Sequence, residues 1–317
     1  MTRVLVSGLI NIETTLRVDR FPIDYAPVRY PFWGVKTTVS GVGYNVAKAL
    51  TVLGDDVHFV SLTGTDMYAP VIRETLRGDG IQDAWVLSAV DQTAQSVILY
   101  DGDGRRQINV DLKDIQDAAY PASVFTAALA GCDLAVLCNI NFSRAFLATA
   151  KAHGVTIATD VHTISNLEDD YNRDFMAAAD ILFMSDEALP TFPEDWARAV
   201  MDRYNPRVLV IGLGQAGALL VTREPPGMVR VPTVATRPVV NTIGAGDALF
   251  SGFVHAYVHT RNAFAALRKA TVFASYKIGV TGAAEGFLTS PELAAWVDKV
   301  KDQLRNEERR LQNLTGS

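Results

Sequence analysis

Short apolar runs recur along this chain with helix-period segments between them, and that alternation limits the fold more than any other feature. Val4–Ile10 reads as a buried strand. Gly41–Gly54 then places Val46, Ala49, Leu50 and Leu53 at i, i+3, i+4 and i+7, the stripe of one helix face. Val57–Leu62 returns to strand and Ala69–Gly78 to helix, with Gly78 positioned to cap it. From Leu134 the pattern is regular. Strands at Leu134–Cys138, Thr156–Asp160, Ile181–Met184 and Val208–Ile211 are separated by helices at Arg144–His153, Arg173–Ala179 and Asp195–Tyr204. Strands joined by crossover helices run parallel, and a parallel sheet buries both faces. Helices at Ala245–His259, Ala263–Lys277 and Pro291–Arg310 close the chain. The pattern predicts an α/β fold with a mainly parallel central sheet between two helix layers.

Two stretches break the alternation. Phe21–Thr38 holds Pro22, Pro27, Pro31, Phe32 and Trp33 and reads as loop and edge strand, because proline cannot donate to a sheet ladder. Ser96–Tyr100 and Gln107–Val110 flank Asp101-Gly102-Asp103-Gly104, turn chemistry that predicts a hairpin. The chain therefore reads as one domain over residues 1–317, with a small β excursion from segments near 12–35 and 91–112.

Charge and cysteine usage narrow the function. Lys plus Arg number 29 against 35 Asp plus Glu, a net −6, and the basic residues are not clustered. That argues against binding nucleic acid or an anionic membrane. It does not exclude an anionic ligand, since backbone dipoles at a helix start bind phosphate whatever the net charge. Cys132 and Cys138 are too few for a disulfide framework or a four-cysteine zinc site. Val4–Ile10 is too short for a signal h-region and no apolar run reaches membrane-span length, so a reducing cytoplasm is the expected compartment. Without a secretory signal, the sequons at Asn141 and Asn313 carry no weight.

Three glycine motifs carry the chemistry. Gly212-Leu213-Gly214-Gln215-Ala216-Gly217 matches G-x-G-x-x-G, but a dinucleotide turn must open a helix, and Ala218–Thr222 continues as a strand-like run. A hairpin whose glycines serve only the turn competes with a turn that approaches a nucleotide. In Asn241-Thr242-Ile243-Gly244-Ala245-Gly246-Asp247 an extended pair leads through small residues into a helix with Asp247 in its first turn. Exposed amides there form an anion site, and the carboxylate beside them can accept a proton from a hydroxyl. Asp247 as a simple dipole-complementing acid is the alternative. Ser40-Gly41-Val42-Gly43-Tyr44-Asn45 also opens a helix; Asn45 offers a donor and an acceptor to a polyol, or serves as a local cap.

Together these segments resemble the ribokinase-like (phosphofructokinase B, PfkB) carbohydrate kinase family, from Val4 to about Trp296. Asn241–Phe253 is similar to the family motif D-T-x-G-A-G-D, and Ser40–Gly54 with Val57–Asp66 is similar to its G-G-x-x-x-N-x-A helix and following strand. The resemblance implies a three-layer α/β/α fold with a β lid made from the two excursions. It implies ATP-dependent phosphorylation of a monosaccharide hydroxyl, with Mg²⁺ on the nucleotide. Asp247 would be the general base and the Gly244, Ala245 and Gly246 amides the anion hole. Asn11, Glu13, Gly41 and Asn45 would contact the sugar; Ser185, Gly212, Gly214, Gly217 and Thr242 would contact the nucleotide. A homodimer is also open.

Four departures from the family pattern stand out. Asn241 replaces the usual Asp and weakens the case for a monovalent cation. Ser185-Asp186-Glu187-Ala188 stands for N-x-x-E, Glu13 for a sugar-binding Asp, and Ser40 for the first of the paired glycines.

Other residues invite weaker readings. His255 and His259 share a helix face without the zincin glutamate or an evident third ligand, which favours packing or surface roles over metal. Asp160, Asn139 and Asn141 end strands on the edge where α/β proteins bind ligands, or cap loops there. Phe32 and Trp33 would stack on a sugar or base, or pack in a lid or dimer contact. Lys299–Arg310 reads as a solvated helix face. The first expectation is a furanose or ketose kinase, and the nearest alternative is a nucleoside kinase on the same fold. An NAD-dependent oxidoreductase, requiring a helix after Gly217, and a non-catalytic sugar-binding protein are the readings from other classes.

Overall fold

The alternating pattern folds, in the computed structural model of the protein, into a nine-stranded and a four-stranded sheet. Residues 2–315 are described, with side chains to Arg310; the side chain of Asn313 lies outside the described residues. The strands are β1 (Arg3–Ser7), β2 (Asn11–Arg17), β3 (Val35–Ser40), β4 (Asp56–Gly64), β5 (Val86–Val90), β6 (Gln95–Tyr100) and β7 (Arg106–Asp111). After them come β8 (Leu134–Leu137), β9 (Thr156–Thr163), β10 (Ile181–Ser185), β11 (Val208–Gly212), β12 (Ala218–Thr222) and β13 (Gly227–Val231).

The large sheet has the order β13-β12-β11-β10-β9-β8-β1-β4-β5. Within that order the strands from β11 through to β5 are parallel, and β12 and β13 add an antiparallel edge. Alternate side chains go to opposite faces, as the pleat requires. Val4 and Val6 pack with Val46, Leu50, Phe250 and Phe253 from the helices Val42–Leu53 and Ala245–Thr260. Leu5 packs on the other side with Phe125, Leu147, Phe175 and Trp196. These two apolar layers make the three-layer α/β/α architecture. The chain leaves β1 toward β4 and β5, then returns to the other side of β1 as β8. The strand order therefore reverses between β1 and β8, and a crevice forms at their C-terminal ends. Among the described residues no helix is long and apolar enough to cross a membrane.

The smaller sheet, β3-β2-β6-β7, is built from the two segments that break the alternation. Its ladder pairs β2 with β3 and β6 with β7 antiparallel, and β2 with β6 parallel. Asn11, Glu13 and Ser96 are buried on its inner side, whereas Val35, Val97, Ile108 and Val110 are exposed. The Asp66 carboxylate accepts from the Thr93 amide at 2.8 Å, anchoring the run into β6 to the end of β4.

Some boundaries differ from the sequence pattern. Gly78 stays within the helix Tyr68–Gly78, and the left-handed turn falls on Gly80 at φ 72°. The predicted Arg144–His153 helix divides into Asn141–Arg144 and Leu147–Ala152. The break lets Phe146 turn inward and stack on Phe125 at a centroid distance of 3.9 Å. The last helix divides at Val300, which is buried with Leu304 against Val272 and Phe273. Most of Lys301–Arg310 is exposed.

Candidate active site

The crevice between β1 and β8 needs backbones in close contact. A Cβ on Gly43 would lie 2.4 Å from the Gly8 carbonyl carbon, and one on Gly8 would lie 2.6 Å from the Cys138 sulfur. Two glycines thus let the start of the Val42–Leu53 helix sit directly against the end of β1. Gly41 precedes that helix at φ 105°.

A line of polar groups runs from the small sheet to the Ala245–Thr260 helix. Ser40 Oγ donates to Glu13 Oε2 at 3.0 Å and faces Asn45 Oδ1 at 3.3 Å. Asn45 Nδ2 donates to Asp247 Oδ2 at 2.7 Å. Asn11 Nδ2 donates to Ser96 Oγ at 3.1 Å. The other oxygens, Asn11 Oδ1 and Glu13 Oε1, are buried with no protein partner among the described residues. Such orphans are costly in a closed core and suit a polar ligand that donates to them. Burial raises the carboxyl pKa of Glu13, opposed by the Ser40 hydroxyl. Burial likewise raises that of Asp247, opposed by the Asn45 amide. Two departures from the family pattern, Ser40 and Glu13, therefore meet in one hydrogen bond.

The second part of the crevice is built from backbone. Gly244 caps the Ala245–Thr260 helix at φ 74°, and a Cβ there would meet the Ala283 carbonyl oxygen at 2.6 Å, so only glycine fits. Asn241 shapes the approach: its Oδ1 accepts from the Ile243 amide and its Nδ2 donates to the Thr281 carbonyl, both at 3.0 Å. Its amide is thus committed to the loop. The Ala245 amide donates to the Thr242 carbonyl at 3.1 Å. Gly246 and Asp247 occupy the first turn, where amides have no intrahelical acceptor. A Cβ on Gly246 would meet nothing within 4 Å, consistent with an open approach.

Ser185 ends β10 opposite Gly212 of β11. After Gly212, Gly214–Ala216 forms one 3₁₀ turn and Gly217 turns back at φ 96° into β12. The segment is therefore a hairpin, and β12 stands where a nicotinamide-dinucleotide turn requires a helix, which removes the oxidoreductase reading.

Several groups facing the site carry no signal in the sequence. Lys277, the last residue of the Ala263–Lys277 helix, is 0% exposed and its Nζ donates to the Ile243 carbonyl. Burial pulls its pKa down to about 8, although Asp247, Glu13 and Glu285 each pull it up. Arg106, on β7, donates to Thr242 Oγ1 at 3.1 Å and to Glu187 at 3.3 Å, joining the small sheet to the Asn241–Asp247 loop and to the segment after β10. Lys36 on β3 adds a 2.6 Å bridge to Glu285. A lysine at a helix end and an arginine in an exposed hairpin have no local pattern that marks them.

The remaining candidates fall elsewhere or divide. Asp160 lies on β9; its Oδ1 accepts from the His162 amide at 2.8 Å, and its charge is felt at Asp247. Asn139 bonds Asn172 and Asn141 bonds the Gln116 carbonyl, so both serve loop packing. Phe32 and Trp33 are exposed, at 84% and 103%, so neither packs within the small sheet.

A switch-point crevice with first-turn amides, a half-buried carboxylate among them and unpaired polar acceptors opposite has the parts for moving an anionic group onto a hydroxyl. That defines a class, a group-transfer site in an α/β fold. Comparison with known proteins gives the family: the family model for pfkB family carbohydrate kinases matches residues 1–290, and the chain belongs to that family. It is a phosphotransferase with an alcohol group as acceptor. An ATP-dependent ribose-1-phosphate kinase of Halopiger xanaduensis is 29% identical over 286 residues, covering 89% of this chain and 94% of that one. A microbiome-derived acarbose kinase has the same fold, with TM-score 0.84 and 23% identity over 94% of this chain and 99% of the other. A Thermotoga maritima ribokinase does so with TM-score 0.75 and 20% identity over 94% and 100%.

Proposed function

We propose that this chain transfers the γ-phosphoryl group of ATP to a hydroxyl of a neutral monosaccharide bound between the small sheet and the Val42–Leu53 helix. The observation that carries this reading is the 2.7 Å contact of Asn45 with Asp247, which joins the acceptor side to the anion side. Asp247 takes the proton of the attacking hydroxyl late in the step, and its raised pKa makes it a better acceptor than an ordinary aspartate. Of the three amides expected in the anion hole, that of Ala245 is held by the Thr242 carbonyl, so the Gly246 amide faces the charge that grows on the transferred group and Gly244 shapes the turn. Ser185, Thr242 and the Gly212, Gly214 and Gly217 hairpin contact the nucleotide.

The donor set suits Mg²⁺. Asp160, whose charge is felt at Asp247, and Glu187, paired with Arg106 beside Thr242, would offer carboxylate oxygens, the hard ligands this ion takes directly or through water. Held by these residues with ATP, such an ion would neutralise charge on the phosphates.

Asn11, Glu13, Gly41 and Asn45 would hold the sugar. Glu13 bears on acceptor choice. The Halopiger relative acts, by name, on ribose 1-phosphate. Here Glu13 feels Asp247 as like charge and Lys277 as an opposing cation, and its unpaired oxygen accepts from a hydroxyl, whereas it would repel a phosphate placed against it. A neutral furanose or ketose fits better. Incubation with Mg-ATP and a panel of sugars, sugar phosphates and nucleosides, following ADP, tests the reading. Turnover on neutral sugars is expected; turnover confined to nucleosides or to sugar phosphates would overturn it.

Replacing Glu13 by Gln separates stability from binding. The fold raises the Glu13 pKa, so the folded chain holds that proton more tightly than the unfolded one. Stability therefore falls as pH rises from the ordinary carboxylate range through the raised value. Glu13→Gln should melt higher than the parent at pH 7, with the difference vanishing in acid, by calorimetry. The acceptor KM should rise by about ten-fold or more, the scale of a lost charged hydrogen bond.

A further inference from the structure

The far end of the Ala245–Thr260 helix holds a second polar cluster. Asp55 lies just after the Val42–Leu53 helix, and its side chain is 1% exposed. His255 Nδ1 is 2.8 Å from Asp55 Oδ2, and His259 Nε2 is 3.2 Å from Asp55 Oδ1. Among the described residues no Arg, Lys or backbone amide bonds this carboxylate; both of its partners are imidazoles. A buried carboxylate needs pairing or a metal ion. The sequence aligns the two histidines one helical turn apart but shows no third ligand; the fold brings Asp55 to them.

We propose that Asp55, His255 and His259 bind one first-row divalent ion of the zinc class. One ligand atom from each residue lies within 4.8 Å of the others, the single such grouping of His, Cys, Asp and Glu among the described residues. Two imidazole nitrogens and one carboxylate oxygen form a common three-ligand set for zinc, with solvent in the fourth position. His259 is 45% exposed, which gives an ion access and leaves that position to water. A hydroxyl stands near each ring: Ser290 Oγ lies 3.4 Å from His255 Nε2, and Thr2 Oγ1 lies 3.4 Å from Nδ1 and 3.5 Å from Nε2 of His259. Imidazole favours zinc, cobalt or nickel over magnesium, so the site is chemically distinct from the one for Mg-ATP.

The position gives the ion a structural task. It would pin the C-terminal end of one helix to the second half of another, and the opposite ends of those two helices carry Asn45 and Asp247. His255 is eight residues beyond Asp247, about 12 Å along the helix at 1.5 Å per residue. The ion would thus brace the pair of helices that meet at the reaction centre without touching the reactants.

Cobalt titration of the chelator-treated full chain, in excess Mg²⁺, tests the site. One ion per chain with intense visible bands, displaced by zinc, is expected. His259→Ala should bind about ten-fold more weakly or worse, and zinc should raise the Tm of the parent but not of this variant. No binding at millimolar zinc, or unchanged binding in His259→Ala, overturns the proposal. If that variant misfolds by circular dichroism, ring resonances of the parent decide. Zinc must shift two of the five histidines, His255 and His259; shifts at His58, His153 or His162 alone, or at none, overturn it.

Discussion

Asp247→Asn should lower turnover by roughly a hundredfold or more while leaving the fold and ATP binding in place. The substitution keeps the shape of the side chain, and Asn45 Nδ2 can still donate to the new carbonyl oxygen. Asparagine cannot take up the proton of the attacking hydroxyl, whereas the first-turn amides and the residues proposed to contact the nucleotide are untouched. Burial disfavours the ionised carboxylate in the parent, so the neutral side chain should not lower Tm. The acid limb of the pH–rate profile provides a second readout. In the parent it should lie above the ordinary aspartate range, because burial raises the Asp247 pKa, and in Asp247→Asn it should disappear. Steady-state kinetics and a melting curve check both, and near-native turnover would remove Asp247 from the mechanism.

Lys277→Met should have the next largest effect, on rate and stability together. The lysine is fully buried, donates to the Ile243 carbonyl just before the Gly244 turn, and opposes the negative charge of Asp247 and Glu13. Methionine fills similar space but leaves that carbonyl unpaired and the two carboxylates without their buried cation. Removing one partner from a buried charge cluster costs about 3 kcal/mol, which urea unfolding would read. Turnover should fall by about ten-fold or more as the turn loosens. The sign of the pH effect is defined. Lys277 lowers both carboxyl pKa values, so its loss moves the acid limb upward. The parent lysine loses its charge as pH rises through about 8, so any alkaline limb near that value should vanish in the variant. Unchanged stability and an unchanged profile would assign Lys277 to packing alone.

The parts of the fold legible in sequence are those set by local periodicity. The helix stripe of Val46, Ala49, Leu50 and Leu53 and the apolar runs of the parallel strands each satisfy their own burial pattern, and they form where the pattern places them. Turn chemistry is similarly local: Asp101–Gly104 closes the β6–β7 hairpin, and Gly217 turns β11 back into β12. Breaks governed by packing are not legible. Nothing near Phe146 or Val300 signals an interruption; the helix stops because a ring or a branched side chain is buried by turning there.

The same division holds for the candidate site. Gly244, Gly246 and Asp247 lie within one turn of the chain, and their chemistry as a helix start is local, so sequence alone placed them together. Sequence also determined the alternation that makes a parallel sheet, and hence the edge on which a ligand crevice forms. Only the tertiary structure decided that Asn45 meets Asp247 across 202 positions, that Ser40 bonds Glu13, that Lys277 is buried beneath the turn, and that Asp55 joins two histidines. Those contacts depend on how separate elements pack, and a hydrogen bond between residues far apart in the chain leaves no periodic trace in either segment.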